Sequence, residues 1–149
     1  MASMNIQVND TVMRMRFDKL TKTINSAMLM ERIAAFAWTR IKRRTKKGVD
    51  ADGKAFDGYS EKYKKKRAAK GLRVNIVDLY DSGDMYGSGR QEIGSLRAKL
   101  FFAHEGAARA AGHTLGYASG GLPVRNFFAL GVRDEDALTK YIIKQLDGI

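Results

Sequence analysis

Between His104 and Val132 the chain reads HEGAARAAGHTLGYASGGLPVRNFFALGV, and no other stretch restricts its folding so tightly. Six of the fifteen glycines fall here (Gly106, Gly112, Gly116, Gly120, Gly121, Gly131), with both histidines and the single proline, Pro123. Glycine adopts positive φ without steric cost and weakens helices and strands from within, so this density predicts a long Gly-rich loop. A connection of that length in a small domain is uncommon, and is usually functional or ordered by a partner. It ends in Leu122-Pro123-Val124-Arg125-Asn126-Phe127-Phe128, where a rigid proline and an arginine precede two aromatics. The expectation is a mobile arm pinned at its far end by Phe127 and Phe128, a device for binding and assembly.

The flanking segments have clearer periods. Thr11 to Phe17 alternates Met13, Met15 and Phe17 with Arg14 and Arg16, which predicts a half-buried strand. From Leu20 to Lys47 apolar residues recur at three or four, predicting a long amphipathic helix broken near Asn25-Ser26, where Ser26 is a natural N-cap. Cations crowd its last turns and Gly48 suits its end. Ser60 to Gly71 reads as a short basic helix capped by the serine, anchored by Tyr59 and Tyr63. Val77 to Tyr86 reads as a compact turn or short helix. Tyr86–Ile93 and Ser95–Phe102 predict paired strands, with Leu96, Ala98, Leu100 and Phe102 on the buried face. A final helix begins near Asp134-Glu135-Asp136, its inward face formed by Leu138, Tyr141, Ile142, Gln145, Leu146 and lastly Ile149. Together these give an α+β fold in one domain, 1–149. A small, mostly antiparallel sheet packs against a long N-terminal helix and a C-terminal helix, with the Gly-rich loop between them.

Charge narrows the partners. The formal net charge is +11, and Arg40 to Arg73 holds fourteen Lys/Arg against four Asp/Glu, so nearly all of the excess is local. Such a patch draws polyanions: nucleic acid, an acidic protein surface or anionic lipid. The candidates for this contact are Arg43, Arg44, Lys46, Lys47, Lys64, Lys65, Lys66 and Arg67. A solvated lysine-rich face is the plain alternative. With no cysteine there is no disulfide, thiolate nucleophile or Cys-based zinc site. No apolar run is long enough for a membrane span, and MASMNIQVND lacks a hydrophobic signal core.

Motifs for catalysis are weak. Asp50-Ala51-Asp52-Gly53 resembles the start of a calcium loop, and Glu61 stands at the twelfth place. However, Lys54 and Ala55 occupy the fifth and sixth, so an Asp/Gly turn is expected. Asp78, Asp81 and Asp84 would share a helix face, the arrangement of a metal-dependent nuclease. Beside serine and glycine, local caps and turns explain them better. His104 and His113 form no His-Glu-x-x-His pattern, since position 108 is alanine. No catalytic residue, metal or cofactor is therefore expected.

Three segments, in order, resemble the phage virion morphogenesis family, which includes the tail completion proteins of Mu-like and P2-like phages. They are Asp52-Gly53-Lys54-Ala55-Phe56 with Tyr59-Ser60-Glu61-Lys62-Tyr63 and its lysine run; Asp78-Leu79-Tyr80-Asp81-Ser82-Gly83-Asp84-Met85, similar to a Leu-x-x-Ser-Gly-x-Met step; and Ala103-His104-Glu105-Gly106 followed by Leu122 to Gly131, similar to His-x-x-Gly and Pro-x-Arg-x-Phe-x-Gly. Phe56 stands where a tryptophan is expected, and Ala107 to Gly121 is an Ala/Gly-rich insert. The resemblance implies a non-enzymatic subunit at the head–tail junction of the virion, assembled in the host cytoplasm. It would form a homo-oligomeric, hexameric ring that ends tail-tube growth or joins tail to head. Implied partners are the tail tube, head–tail adaptor or stopper proteins, and DNA in the channel; no membrane is involved. His104, Gly106, His113, Pro123 and Arg125 are the candidate subunit interface. The alternative is a free nucleic-acid-binding protein using residues 40–73, although no recognised DNA-binding motif is present.

Overall fold

The structure is a computed structural model that describes residues 10–117 and 120–147. Its elements in order are α1 (Asp10–Ile24), α2 (Ala27–Lys46), α3 (Glu61–Ala69), α4 (Asp84–Gly87), β1 (Gly89–Ile93), β2 (Ala98–Phe102), α5 (His104–Leu115) and α6 (Val132–Leu146). The α+β class holds: one antiparallel hairpin packs against helices.

The central element is α2. Ser26 caps it as the sequence predicts, its hydroxyl accepting from the Leu29 amide at 3.1 Å. Leu29, Ala34, Ala37, Ile41 and Thr45 form the buried stripe. The helix stops at Gly48, whose φ of +78° is the left-handed conformation expected there. One flank of α2 lies on the hairpin and another on α6. Phe36 stacks on Tyr141 of α6 at 4.4 Å, and Trp38 meets Phe102 and Phe128 edge-on at 5.3 and 5.7 Å. Around these rings lies the core of Tyr59, Val77, Leu79, Met85, Phe102, Ala110 and Phe127. Phe127 has no exposed surface, so the aromatic pin read from the sequence is present.

The hairpin pairs Gly89 with Phe102 through Ile93 with Ala98 and closes with the Gly94 amide donating to the Arg97 carbonyl at 2.7 Å. It is shorter than expected because α4 takes residues 84–87. Leu96 lies in the turn, exposed, rather than on a buried strand face. The Asp/Gly turn is also as expected: Asp50 Oδ1 accepts from the amides of Asp52 and Lys54 at 3.0 and 2.8 Å, which ties the carboxylate to its own backbone.

Two expectations are corrected. Residues 11–17 are not a strand but part of α1. Met13, Met15 and Phe17 are all exposed, so their alternation marks no buried face, and the Met, Arg and Lys around them favour helix. Residues 104–115 are not loop but α5. Ala107, Ala108, Ala110 and Ala111 supply helix propensity, while Gly106 and Gly112 serve close packing rather than flexibility. A Cβ on Gly106 would lie 1.6 Å from Ser88 Oγ, and one on Gly112 2.6 Å from the Tyr117 ring. The irregular connection is therefore only about half as long as the sequence suggests. Of the predicted inward face of α6, Leu138, Tyr141, Ile142, Gln145 and Leu146 are partly buried, chiefly towards α2; Ile149 lies outside the described residues.

Candidate functional site

The sequence singles out two regions, and the structure treats them differently. In the cationic stretch, Arg43, Lys46, Lys47, Lys65 and Lys66 are exposed, and Lys64 bonds Glu61 one turn away at 2.7 Å. Arg44 and Arg67 do not belong to a polyanion-binding face. Arg44 pairs with Asp134, and its Nη2 donates to the carbonyls of Phe127 and Ala129 at 2.7 and 2.8 Å. Arg67 is 2% exposed. The physical reason is the same for both: each sits on the inward side of its helix beside a carboxylate and free carbonyls, which take both Nη groups of Arg44 and all three guanidinium nitrogens of Arg67.

Arg67 is the centre of a buried polar knot. Its Nη2 donates to Asp78 Oδ1 at 2.9 Å, Nε to the Arg73 carbonyl at 2.7 Å and Nη1 to the Tyr80 carbonyl. Asp78 Oδ1 also accepts from the Tyr59 hydroxyl at 3.3 Å and the Tyr80 amide at 3.1 Å. The last bond helps hold Leu79 at a φ of +52°, unusual for a residue without glycine's freedom. Burial pushes the Tyr59 hydroxyl up to about 12, with Arg67 opposing, so it stays a neutral donor at physiological pH.

The three aspartates are thus separated in role. Asp78 is buried with Arg67. Asp81 takes Lys70 at 2.8 Å, and Asp84 takes the Ser82 hydroxyl at 2.6 Å and Arg109 at 3.2 Å. The Ser82 hydroxyl first, and Arg109 after it, hold Asp84 below the usual carboxylate range. Among the described residues no three acidic or histidine side chains gather as metal ligands.

The second region is a cavity of about 700 Å³ between α3, the 79–86 segment, α5 and a strap made by residues 117 and 120–125. Of the five candidate interface residues it gathers His113, Pro123 and Arg125; Gly106 is buried against Ser88 instead, and His104 is exposed at the start of α5. Arg125 is no mobile surface group. It is 3% exposed, its amide donates to the His113 carbonyl at 2.7 Å and its Nη2 donates to the Asp57 carbonyl at 3.2 Å. Its Nη1 lies 3.3 Å from His113 Nδ1. Burial, and then the Arg125 charge, hold His113 down at about 4, so the ring is neutral at physiological pH.

Sequence reasoning missed this cavity's aromatic lining. Five of the six tyrosines (Tyr59, Tyr63, Tyr80, Tyr86, Tyr117) face it. Their number was visible in the sequence, but their convergence was not, because they come from three separate stretches of the chain. Comparison with known proteins finds no matching family model, no matching curated protein and no matching solved structure.

Proposed function

We propose that the chain is a structural subunit of a phage particle: a ring-forming tail completion or tail terminator protein at the head–tail junction. It ends tail-tube growth, joins tail to head, and acts by contact rather than by catalysis. The order and spacing of the three sequence motifs support the reading. The observation that carries it is α1, where Met13 at 44% and Phe17 at 59% exposure lie one turn apart on the same helix face. Apolar surface left uncovered in this way marks an interaction site, and in a ring a neighbouring copy covers it. The exposed cations of α3 and the end of α2 suit an acidic partner or DNA in the channel.

The local excess of cations favours a second reading, a free nucleic-acid-binding protein. Size-exclusion chromatography with light scattering, particle imaging and DNA binding at two salt concentrations separates the two. The ring reading expects a concentration-dependent closed oligomer, lost in Phe17→Asp, with weak salt-sensitive DNA affinity. It also expects particles carrying Lys64→Glu, Lys65→Glu and Lys66→Glu together to lose infectivity while the isolated variant keeps its fold. A monomer at every concentration that binds DNA tightly overturns it in favour of the second.

A further inference from the structure

The cavity beneath the strap has an unbalanced charge. Each other charged side chain on its wall touches its opposite: Arg67 with Asp78 at 2.9 Å, Arg109 with Asp84 at 3.2 Å, Asp81 with Lys70 at 2.8 Å. Arg125 does not. Its polar neighbours are the neutral His113 ring and a backbone carbonyl, and the Tyr59 ring lies 6.0 Å away. Its Nε is buried without a hydrogen-bond partner, and among the described residues it enters no ion pair. The carboxylate of Asp57, an exposed residue, acts on it only at longer range. A guanidinium taken from water without a counter-charge is costly, and a buried group left unsatisfied asks for its missing partner.

We infer that this cavity is a carboxylate site: Arg125 receives the carboxylate of an organic acid whose aromatic body lies among the five tyrosines. The volume falls in the range of small-ligand pockets. Tyr63 already stands edge-on to Tyr59 at 5.1 Å, the geometry in which a further ring packs well. Arginine's fork matches a planar carboxylate. One unbalanced cation suits one negative charge; the second charge of a phosphate would find Arg67 and Arg109 already neutralised. The strap that covers the site is held by the Tyr117 amide donating to the Leu122 carbonyl at 3.0 Å and by the Arg125 amide on His113, so ligand and strap share residues. The same chemistry is offered by a free aromatic acid and by a peptide ending in an aromatic residue.

The test follows the two histidine rings of the full chain by NMR during titration with sodium phenylacetate, N-acetyl-glycyl-phenylalanine, the amide of that peptide, and inorganic phosphate. A saturable shift at His113, with His104 unmoved, is expected from the acids. The bound anion offsets Arg125, so the His113 pKa rises from about 4. Tighter binding of the peptide acid assigns a chain end as the natural source; equal or tighter binding of phenylacetate assigns a free acid. Arg125→Gln weakens binding about tenfold or more, as loss of a charge-assisted bond does. Ala108→Trp, at an exposed helical position on the cavity wall, blocks binding while leaving Arg125 in place. The inference is overturned if neither acid moves His113, if the amide or phosphate binds as well as the acids, or if a folded Arg125→Gln binds undiminished. These readouts need no assembled particle, so the site stands or falls apart from the virion role.

Discussion

Arg44 in the last turn of α2 and Asp134 in the first turn of α6, ninety positions apart, share an ion pair. Arg40 completes it from one turn earlier, its Nε 2.9 Å from Asp134 Oδ1. Each charge occupies the helix end that favours it, a cation at a C-terminus and an acid at an N-terminus, so two dipoles and an ion pair act together. Asp134 also accepts from the Gly131 amide at 3.4 Å, which starts α6.

Removing this carboxylate leaves two arginines facing each other, one of them with a buried Nε that already lacks a partner. Asp134→Ala is expected to destabilise by about 3–5 kcal/mol. Arg44→Met in the same chain recovers part of that loss, and urea unfolding of the double-mutant cycle measures the coupling. Additive single effects, within about 0.5 kcal/mol, would mean the two side chains do not interact.

His113 gives stability a pH dependence with a definite sign. Its folded value of about 4 lies below the ordinary 6.5, so in that interval the unfolded chain takes up a proton that the folded one refuses. The stabilisation is complete above pH 6.5 and is lost as pH falls towards 4. The change is on the order of 2 kcal/mol, reduced from the full shift because the ring is only partly buried. His113→Gln should flatten melting temperature against pH across this window; an unchanged slope would assign the effect to other groups.

Phe127 touches Phe102, Phe128 and the His113 ring, at centroid distances of 6.0, 6.1 and 6.5 Å. Phe127→Ala is expected to cost about 3–5 kcal/mol, since the aromatic shell cannot close around a smaller side chain. Calorimetry on the variant checks it, and an undiminished melting temperature counts against the ring as the core's anchor.

Gly106→Ala should destabilise by about 1–3 kcal/mol, because α5 would have to step back from Ser88. Ser88→Gly in the same chain removes the atoms in the way and should restore much of the loss. If Gly106→Ala alone melts like the parent, the close approach of α4 and α5 is not what demands glycine there.

Much of this fold was legible wherever a cap and a period agreed. Ser26 and Gly48 bracket α2, Ser60 brackets α3, and alternation through Ala98, Leu100 and Phe102 gives the second strand. It failed where one residue type serves two purposes. The glycines of α5 read as loop because flexibility and close packing ask for the same absence of a side chain, and only the positions of Ser88 and Tyr117 decide between them. Met13, Met15 and Phe17 read as strand because period two implies a buried face, and here no face is buried within the chain. Arg67 looked like its lysine neighbours since nothing local reveals that Asp78 waits eleven residues on. For the cavity, the tyrosines were countable but their meeting point depends on long-range topology.

The span between Arg44 and Asp134 also sets an order of events during synthesis. At about 5–20 residues per second, a ribosome releases the carboxylate roughly 5–20 s after the guanidinium. Throughout that interval the clamp of α2 is open and the flank that meets α6 is uncovered. A nascent chain arrested before Val132 is therefore expected to engage chaperones or be degraded, and α6 is the helix that releases α2 from that exposure.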